Sequence, residues 1–168
     1  MSTEPTATFA SSLEELGVDL ARTTAEAFAS TLAPLLDAPA VGAPLPFDGV
    51  TLPDRVETDP SVAELEAAAT GITAAGYGIA DYGSVVLQGG AEGTEPVSLY
   101  ADHHVAVVAE SDVLPDMDAA FDRFAADVRD GTRQSIVATG PSATADMGSL
   151  VKGAHGPMAV TVVLLEDR

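Results

Sequence analysis

Apolar residues recur along this chain with two periods, about 3.6 and about 2, and the changes between them mark the elements. Phe9, Leu13 and Leu16 share one face of a helix predicted over residues 7–16, with Gly17 as its stop. Residues 1 to about 6 are polar and expected to be frayed. Val18–Ala21 alternates like a short strand. Thr23 and Glu26 have the spacing of a capping box, predicting a helix to about Leu36 with Phe28, Leu32, Leu35 and Leu36 inward and Pro34 as kink or terminus. Residues 38–43 read as a short buried strand. Residues 44–60, with Pro44, Pro46, Pro53 and Pro60, form a linker or lid within one domain, because the segment before them is too small for its own core.

Asp59-Pro60 predicts an N-cap and first turn for a helix running through Val62, Leu65 and Ala67–Ala69. Val85–Leu87 and Val97–Leu99 flank a glycine-rich turn and read as a hairpin. Val105–Ala109 is uniformly apolar, the mark of a strand covered on both faces. Ser111 or Asp112 would cap a long helix with Leu114, Met117, Phe121, Phe124 and Val128 inward and Asp116, Asp118, Asp122 and Asp127 outward. Ile136–Ala138 reads as a buried strand, residues 144–151 as a short helix, and Ala159–Leu165 as a closing buried strand. Helices alternating with apolar strands predict an α/β fold, a mostly parallel sheet flanked by helices.

Composition narrows the chemistry. The 168 residues carry 26 acidic and 7 basic side chains, a formal net charge of −19. The apolar fraction of 46% speaks for a globular chain, one domain at roughly 150 residues per domain. With no cysteine, the chain offers no disulfide, thiol nucleophile or thiolate-held iron–sulfur cluster. No apolar run reaches the roughly 18 residues of a membrane span, and the start lacks the pattern of a secretory signal, so a cytoplasmic location is expected. Nucleic acid and anionic membrane would be repelled. Lys152 is the sole lysine, and the acids are dispersed rather than clustered, the surface of a protein hydrated in concentrated salt. On that halophilic reading individual acids serve mainly solvation.

Three loop segments remain as candidate chemistry. Gly76–Ser84 has the wrong glycine spacing for a dinucleotide loop and precedes a strand, leaving Asp81 as either a cap for local amides or a base facing a cleft. Thr139–Asp146, with Gly140, Ser142, Thr144 and Asp146, lies between a predicted strand and helix, where free N–H groups would suit a carboxylate or phosphate, or would only be capped locally. Gly153–Pro157 frames His155 between glycines, for acid–base work, substrate orientation or a structural hydrogen bond. Lys152 suits either an anion contact or an exposed element end. His103 and His104, adjacent on a strand, point to opposite faces, which argues against a shared metal. No G-x-S-x-G nucleophile motif occurs.

Gly71-Ile-Thr, then Gly78-Ile-Ala-Asp81-Tyr-Gly83-Ser-Val-Val-Leu87, His103-His-Val-Ala-Val-Val, Thr139-Gly-Pro-Ser-Ala-Thr-Ala-Asp146-Met and Gly153-Ala-His155-Gly-Pro157 follow one another as in the LUD domain. The segment 71–165 therefore resembles LUD domain proteins of the LutC-like, lactate-utilising kind. That resemblance implies a fold of the NagB/RpiA/CoA-transferase class. It also implies work beside two partner subunits that carry iron–sulfur clusters and oxidise L-lactate to pyruvate, with no cofactor in this chain. The chain departs from the family pattern at Ala143, where a basic residue is usual, at Gly148, where an acid is usual, and at Tyr82, where threonine is common.

Three functions fit these readings. In the first, the chain is a LutC-like subunit of a lactate-oxidising system, with His155 and Asp81 catalytic and Gly140, Ser142, Thr144, Asp146 and Lys152 binding the substrate anion. In the second, it is a standalone binder or enzyme acting on phosphorylated, folate or acyl-CoA ligands. In the third, it is a scaffold for the iron–sulfur subunits.

Overall fold

A computed structural model of the chain describes residues 4–90, 92–132, 134–146, 148–153 and 155–168. Helix α1, Glu4–Glu15, starts ahead of the expected residue 7, so residues 4–6 are helical rather than frayed, and Thr6, Phe9 and Leu13 are buried. Gly17 ends it at φ 69°, while the Val18 amide donates to the Leu13 carbonyl 2.9 Å away. Strand β1 is Asp19–Thr23, and helix α2 is only Phe28–Leu32, followed by a 3-10 turn at Ala33–Leu35. The expected capping box fails because Thr23 belongs to the sheet, paired with Leu165; Thr24 instead accepts from the Ala27 amide.

Strands β2, Ala40–Gly42, and β3, Val56–Glu57, precede helix α3, Val62–Ala67. Its capping box is Ser61 with Glu64, not Asp59. Strands β4, Thr70–Ala74, β5, Tyr77–Ile79, and β6, Ser84–Gln88, follow. Val97–Leu99 is not a hairpin strand but the middle of helix α4, Thr94–Tyr100, with Pro96 tolerated in the first turn. Then come β7, His103–Ala109, β8, Val113–Leu114, and α5, Met117–Arg129, whose cap is Asp116 accepting from the Ala119 amide 2.9 Å away. Strand β9, Ser135–Thr139, is a half-exposed edge strand rather than a buried one. Residues 144–151 form no helix: β10, Ala143–Asp146, and β11, Ser149–Lys152, are an antiparallel hairpin that pairs Thr144 with Val151. Strand β12, Ala159–Leu165, closes the sheet.

The main sheet has six strands in the order β1-β12-β7-β4-β2-β3, all parallel. Ile72, Val105, Val107, Val163 and Leu165 pack on one face against Phe28 and Leu32 of α2. Ala106, Val108, Val162 and Leu164 pack on the other against a second sheet, β8-β5-β6-β9, and against Phe9 and Leu13 of α1. Helix α5 covers the outer side of that second sheet, where Ala120 and Phe124 meet Tyr77, Ile79 and Val86. Layers of helix, parallel sheet, second sheet and helix thus realise the α/β class expected.

Helix α5 sits rotated from its expected setting. Phe121 and Val128 are 64% and 69% exposed, whereas Asp127, expected outside, is buried. Asp127 accepts hydrogen bonds from the Tyr77 hydroxyl at 3.2 Å and the Gln88 amide at 2.9 Å, so a polar anchor overrides the apolar stripe. Among the described residues no helix is long and apolar enough to cross a membrane.

Helix α4 lies close on β4 because Gly71 has no side chain. A Cβ there would collide with the Val97 carbonyl oxygen and lie 2.9 Å from Ala101 Cβ. Gly71→Ala should therefore cost about 1–3 kcal/mol and lower the melting temperature by roughly 2–10 °C. Gly90→Ala, which meets nothing within 4 Å, should leave it within about 1 °C. Thermal melts of the two variants side by side check the packing.

Candidate functional site

Three of the residues singled out from sequence converge at the amino-terminal end of the parallel strands. Gly140, Ser142 and His155 line a pocket of about 240 Å³ between β7, β12 and the second sheet, with Leu87, Ile136 and Val160 as apolar wall. The Ser142 amide donates to the Pro157 carbonyl at 2.8 Å, and the Gly153 amide donates to the Ser142 carbonyl at 2.9 Å, tying the two loops together. Gly156 sits against Ser142: a Cβ there would lie 3.1 Å from Ser142 Cβ. The Ser142 hydroxyl and the Gly156 amide have no hydrogen-bond partner among the described residues. They are the donors a small anion could use.

The other candidates are elsewhere. Asp81 is exposed in the turn between β5 and β6, where its amide donates to the Pro115 carbonyl 3.2 Å away; it does not line the pocket with His155. Thr144 and Lys152 lie on the β10–β11 hairpin, Thr144 half-buried and Lys152 exposed, and neither lines the pocket. The Asp146 side chain lies outside the described residues. The helix N-terminus expected after Gly140 is absent, since the segment continues as a strand. Moreover β9, which the loop leaves, belongs to the second sheet and runs antiparallel to β6. Its carboxyl end thus meets the amino ends of the parallel strands, as the shared lining with His104 and Val160 shows.

His104 is the site residue that motif reading missed. It is 2% exposed, lines the pocket, and its Nε2 lies 2.8 Å from Thr73 Oγ1. Burial, and secondarily the neighbouring His103, push its pKa down to about 4. His103 points to the opposite face, with Nε2 2.8 Å from Thr161 Oγ1. Burial lowers its pKa too, against the opposing pull of Asp37 and Asp19. As alternation required, the two rings cannot share an ion. Among the described residues no group of three or more His, Cys, Asp or Glu could hold a metal.

A larger cleft, about 690 Å³, opens at the opposite end of the sheet. From β2 the chain steps outward to β3, then returns through β4 to β7 and β12, so strand order reverses between β2 and β4. The cleft lies beyond the carboxyl ends there, where open α/β sheets bind ligands. Several of its donors are already committed. The amides of Ala75, Gly76, Gly89 and Ser111 already donate to backbone carbonyls, and Arg168 holds the Asp48 carbonyl at 2.7 Å and the Asp167 carboxylate at 3.3 Å. Asp48, Glu92 and Asp112 add negative charge.

The state of His104 sets a pH dependence. Its folded pKa, about 4, lies below the ordinary 6.5, so the unfolded chain binds the extra proton in between. Stability from the neutral ring is complete above about pH 6.5 and is lost as pH falls towards 4, by about 3 kcal/mol in all. Relative to His104→Gln, the wild-type chain should therefore lose about that much between neutral pH and pH 4, measured by denaturant unfolding at fixed salt.

Comparison with known proteins agrees with this architecture. Residues 7–165 match the sequence pattern of the LUD domain. A lactate utilization protein C from Halalkalibacterium halodurans is 33% identical over 68% of this chain and 52% of its own length. The protein of that name from Deinococcus radiodurans is 32% identical over 74% of this chain and 59% of its own. The chain thus spans about half the length of such curated relatives. The crystal structure of a DUF162 family protein from Deinococcus radiodurans superposes with a TM-score of 0.76 at 23% identity, covering 99% of both chains. By the match along nearly its whole length, the chain belongs to the LUD domain family.

Proposed function

We propose that the chain serves lactate utilisation in the cytoplasm, binding a small 2-hydroxy acid in the amino-end pocket beside partner subunits that carry iron–sulfur clusters. The observation that carries this reading is the convergence of Gly140, Ser142 and His155 on one small pocket with two donors unpartnered among the described residues. The relatives named lactate utilization protein C point to the same substrate class. In this reading the Ser142 hydroxyl and Gly156 amide hold the carboxylate, His155 orients or deprotonates the 2-hydroxyl, and the apolar wall receives the short alkyl group. Electron transfer belongs to the partners, since this chain has no cysteine to hold a cluster.

A second reading rests on the cleft at the carboxyl ends, whose size and place suit a larger ligand of a standalone protein. Its carboxylates, and an Arg168 already paired within the fold, argue against phosphorylated or acyl-CoA ligands.

Recovery of the tagged protein from its host in high salt separates these readings. A brown eluate that reduces dye with L-lactate is the expected result. His155→Ala and Ser142→Ala should each lower that activity by about 10- to 100-fold, the range for a hydrogen bond to a charged group. A colourless, solitary protein, or variants with undiminished activity, would overturn the proposal.

A further inference from the structure

We infer that His104 and Thr73 form a neutral, two-way hydrogen-bonding pair that lets the pocket accept both members of a short-chain 2-hydroxy acid and 2-oxo acid couple. The inference rests on the orienting role of His155 in the proposed function, through a lone pair of the oxygen at the second carbon, and adds to it the group that takes or supplies the hydrogen there.

The geometry is specific. Thr73 is fully buried on β4 and His104 is 2% exposed on the adjacent β7, so no bulk water stands between their bonded atoms. His104 Nε2 is taken by Thr73 Oγ1 at 2.8 Å. Nδ1 is then the ring nitrogen with no hydrogen-bond partner among the described residues, on a ring that forms part of the pocket wall.

A neutral imidazole has one donor and one acceptor nitrogen, and a threonine hydroxyl can play either part. With the proton on Nε2, Thr73 accepts and bare Nδ1 accepts from a ligand hydroxyl. With the proton on Nδ1, Thr73 donates to Nε2 and Nδ1 donates to a ligand carbonyl. The ring carries one proton in both arrangements, so the buried site changes no charge between them. A cationic ring, with both nitrogens donating, could bond a carbonyl or a hydroxyl oxygen but would leave the hydroxyl's hydrogen without an acceptor at this ring; burial disfavours that form. The tautomer is selected as the ligand binds, with no electron moved. Discrimination then falls to size, through Leu87, Leu99 and Ile136, and not to oxidation state.

Ring-nitrogen NMR of the full chain, labelled with 15N-histidine and titrated with L-lactate and with pyruvate, tests this. Lactate should leave His104 protonated at Nε2, and pyruvate at Nδ1. Thr73→Val, which removes the hydroxyl, should make the two affinities diverge by about tenfold or more, and Thr73→Ser should restore their ratio. If both acids shift the His155 signals but leave His104 in one tautomer, the inference falls and the proposed binding site stands. If neither acid perturbs any ring, both fall. The wild-type spectra decide the question even if Thr73→Val does not fold.

Discussion

Strand β7 is the constraint on which the rest of the structure depends. Its seven residues pair along their whole length with β12 on one side and for five residues with β4 on the other. All but His103 are buried. Because successive side chains alternate between faces, Val105 and Val107 require one covering layer and Ala106 and Val108 another. Helix α2 supplies the first. The second sheet, with α1, supplies the other, and α5 covers that sheet in turn. The same alternation carries into the strand's first two residues, which is why one histidine faces Thr161 and the other faces Thr73 and the pocket.

What could be read from sequence follows from the same physics. β7 and β12 were legible because strands covered on both faces leave continuous apolar runs, and α5 because it is long and periodic. The misread elements are short, and tertiary contacts decide them. Thr23 is drawn into the sheet and out of its capping box. Val97 and Leu99 alternate as a strand would, yet α4 forms over the space left by Gly71. Thr144 is half-buried and Ser149, Leu150 and Val151 are exposed, too little buried area to declare a period, and cross-strand pairing decides the segment. At the site, Gly140, Ser142 and His155 were visible because turn residues frame them. His104 was legible only in part: alternation placed one of the two histidines inward, but it took the pairing with Gly71 and the nearness of Thr73 to show which.

The two cavities divide the chemistry of the molecule between the ends of one sheet. Position alone favours the carboxyl-end cleft, since strand order reverses there. Charge favours the other end for an anion, since no carboxylate is among the described residues that line the smaller pocket. A backbone amide already bonded within the fold has little to offer a ligand, as is the case for Ala75, Gly76, Gly89 and Ser111 at the larger cleft. At the amino end, the Ser142 hydroxyl and the Gly156 amide have no partner among the described residues. On a chain of net charge −19, long-range attraction would give a small acid no help, so the proposed site depends on local donors.

The departure at Ala143 bears on this balance. Where the resemblance to LUD domain proteins implies a basic side chain, this chain has a methyl group, which on sequence alone leaves the loop without that cation. The hairpin changes that reading. Ala143 pairs directly across from Lys152, and side chains opposite one another in an antiparallel pair share a face at about 5 Å between Cβ atoms. The sole lysine of the chain therefore stands one strand over from the missing charge. It is followed by Gly153, whose amide holds the Ser142 carbonyl. A long flexible stem on the neighbouring strand keeps a positive group on the hairpin face that Ala143 occupies, while both residues stay outside the pocket lining. The hairpin thus places the chain's one lysine on the loop's flank, directly across the strand pair from Ala143. That is why Ala143 and Lys152 have to be read together.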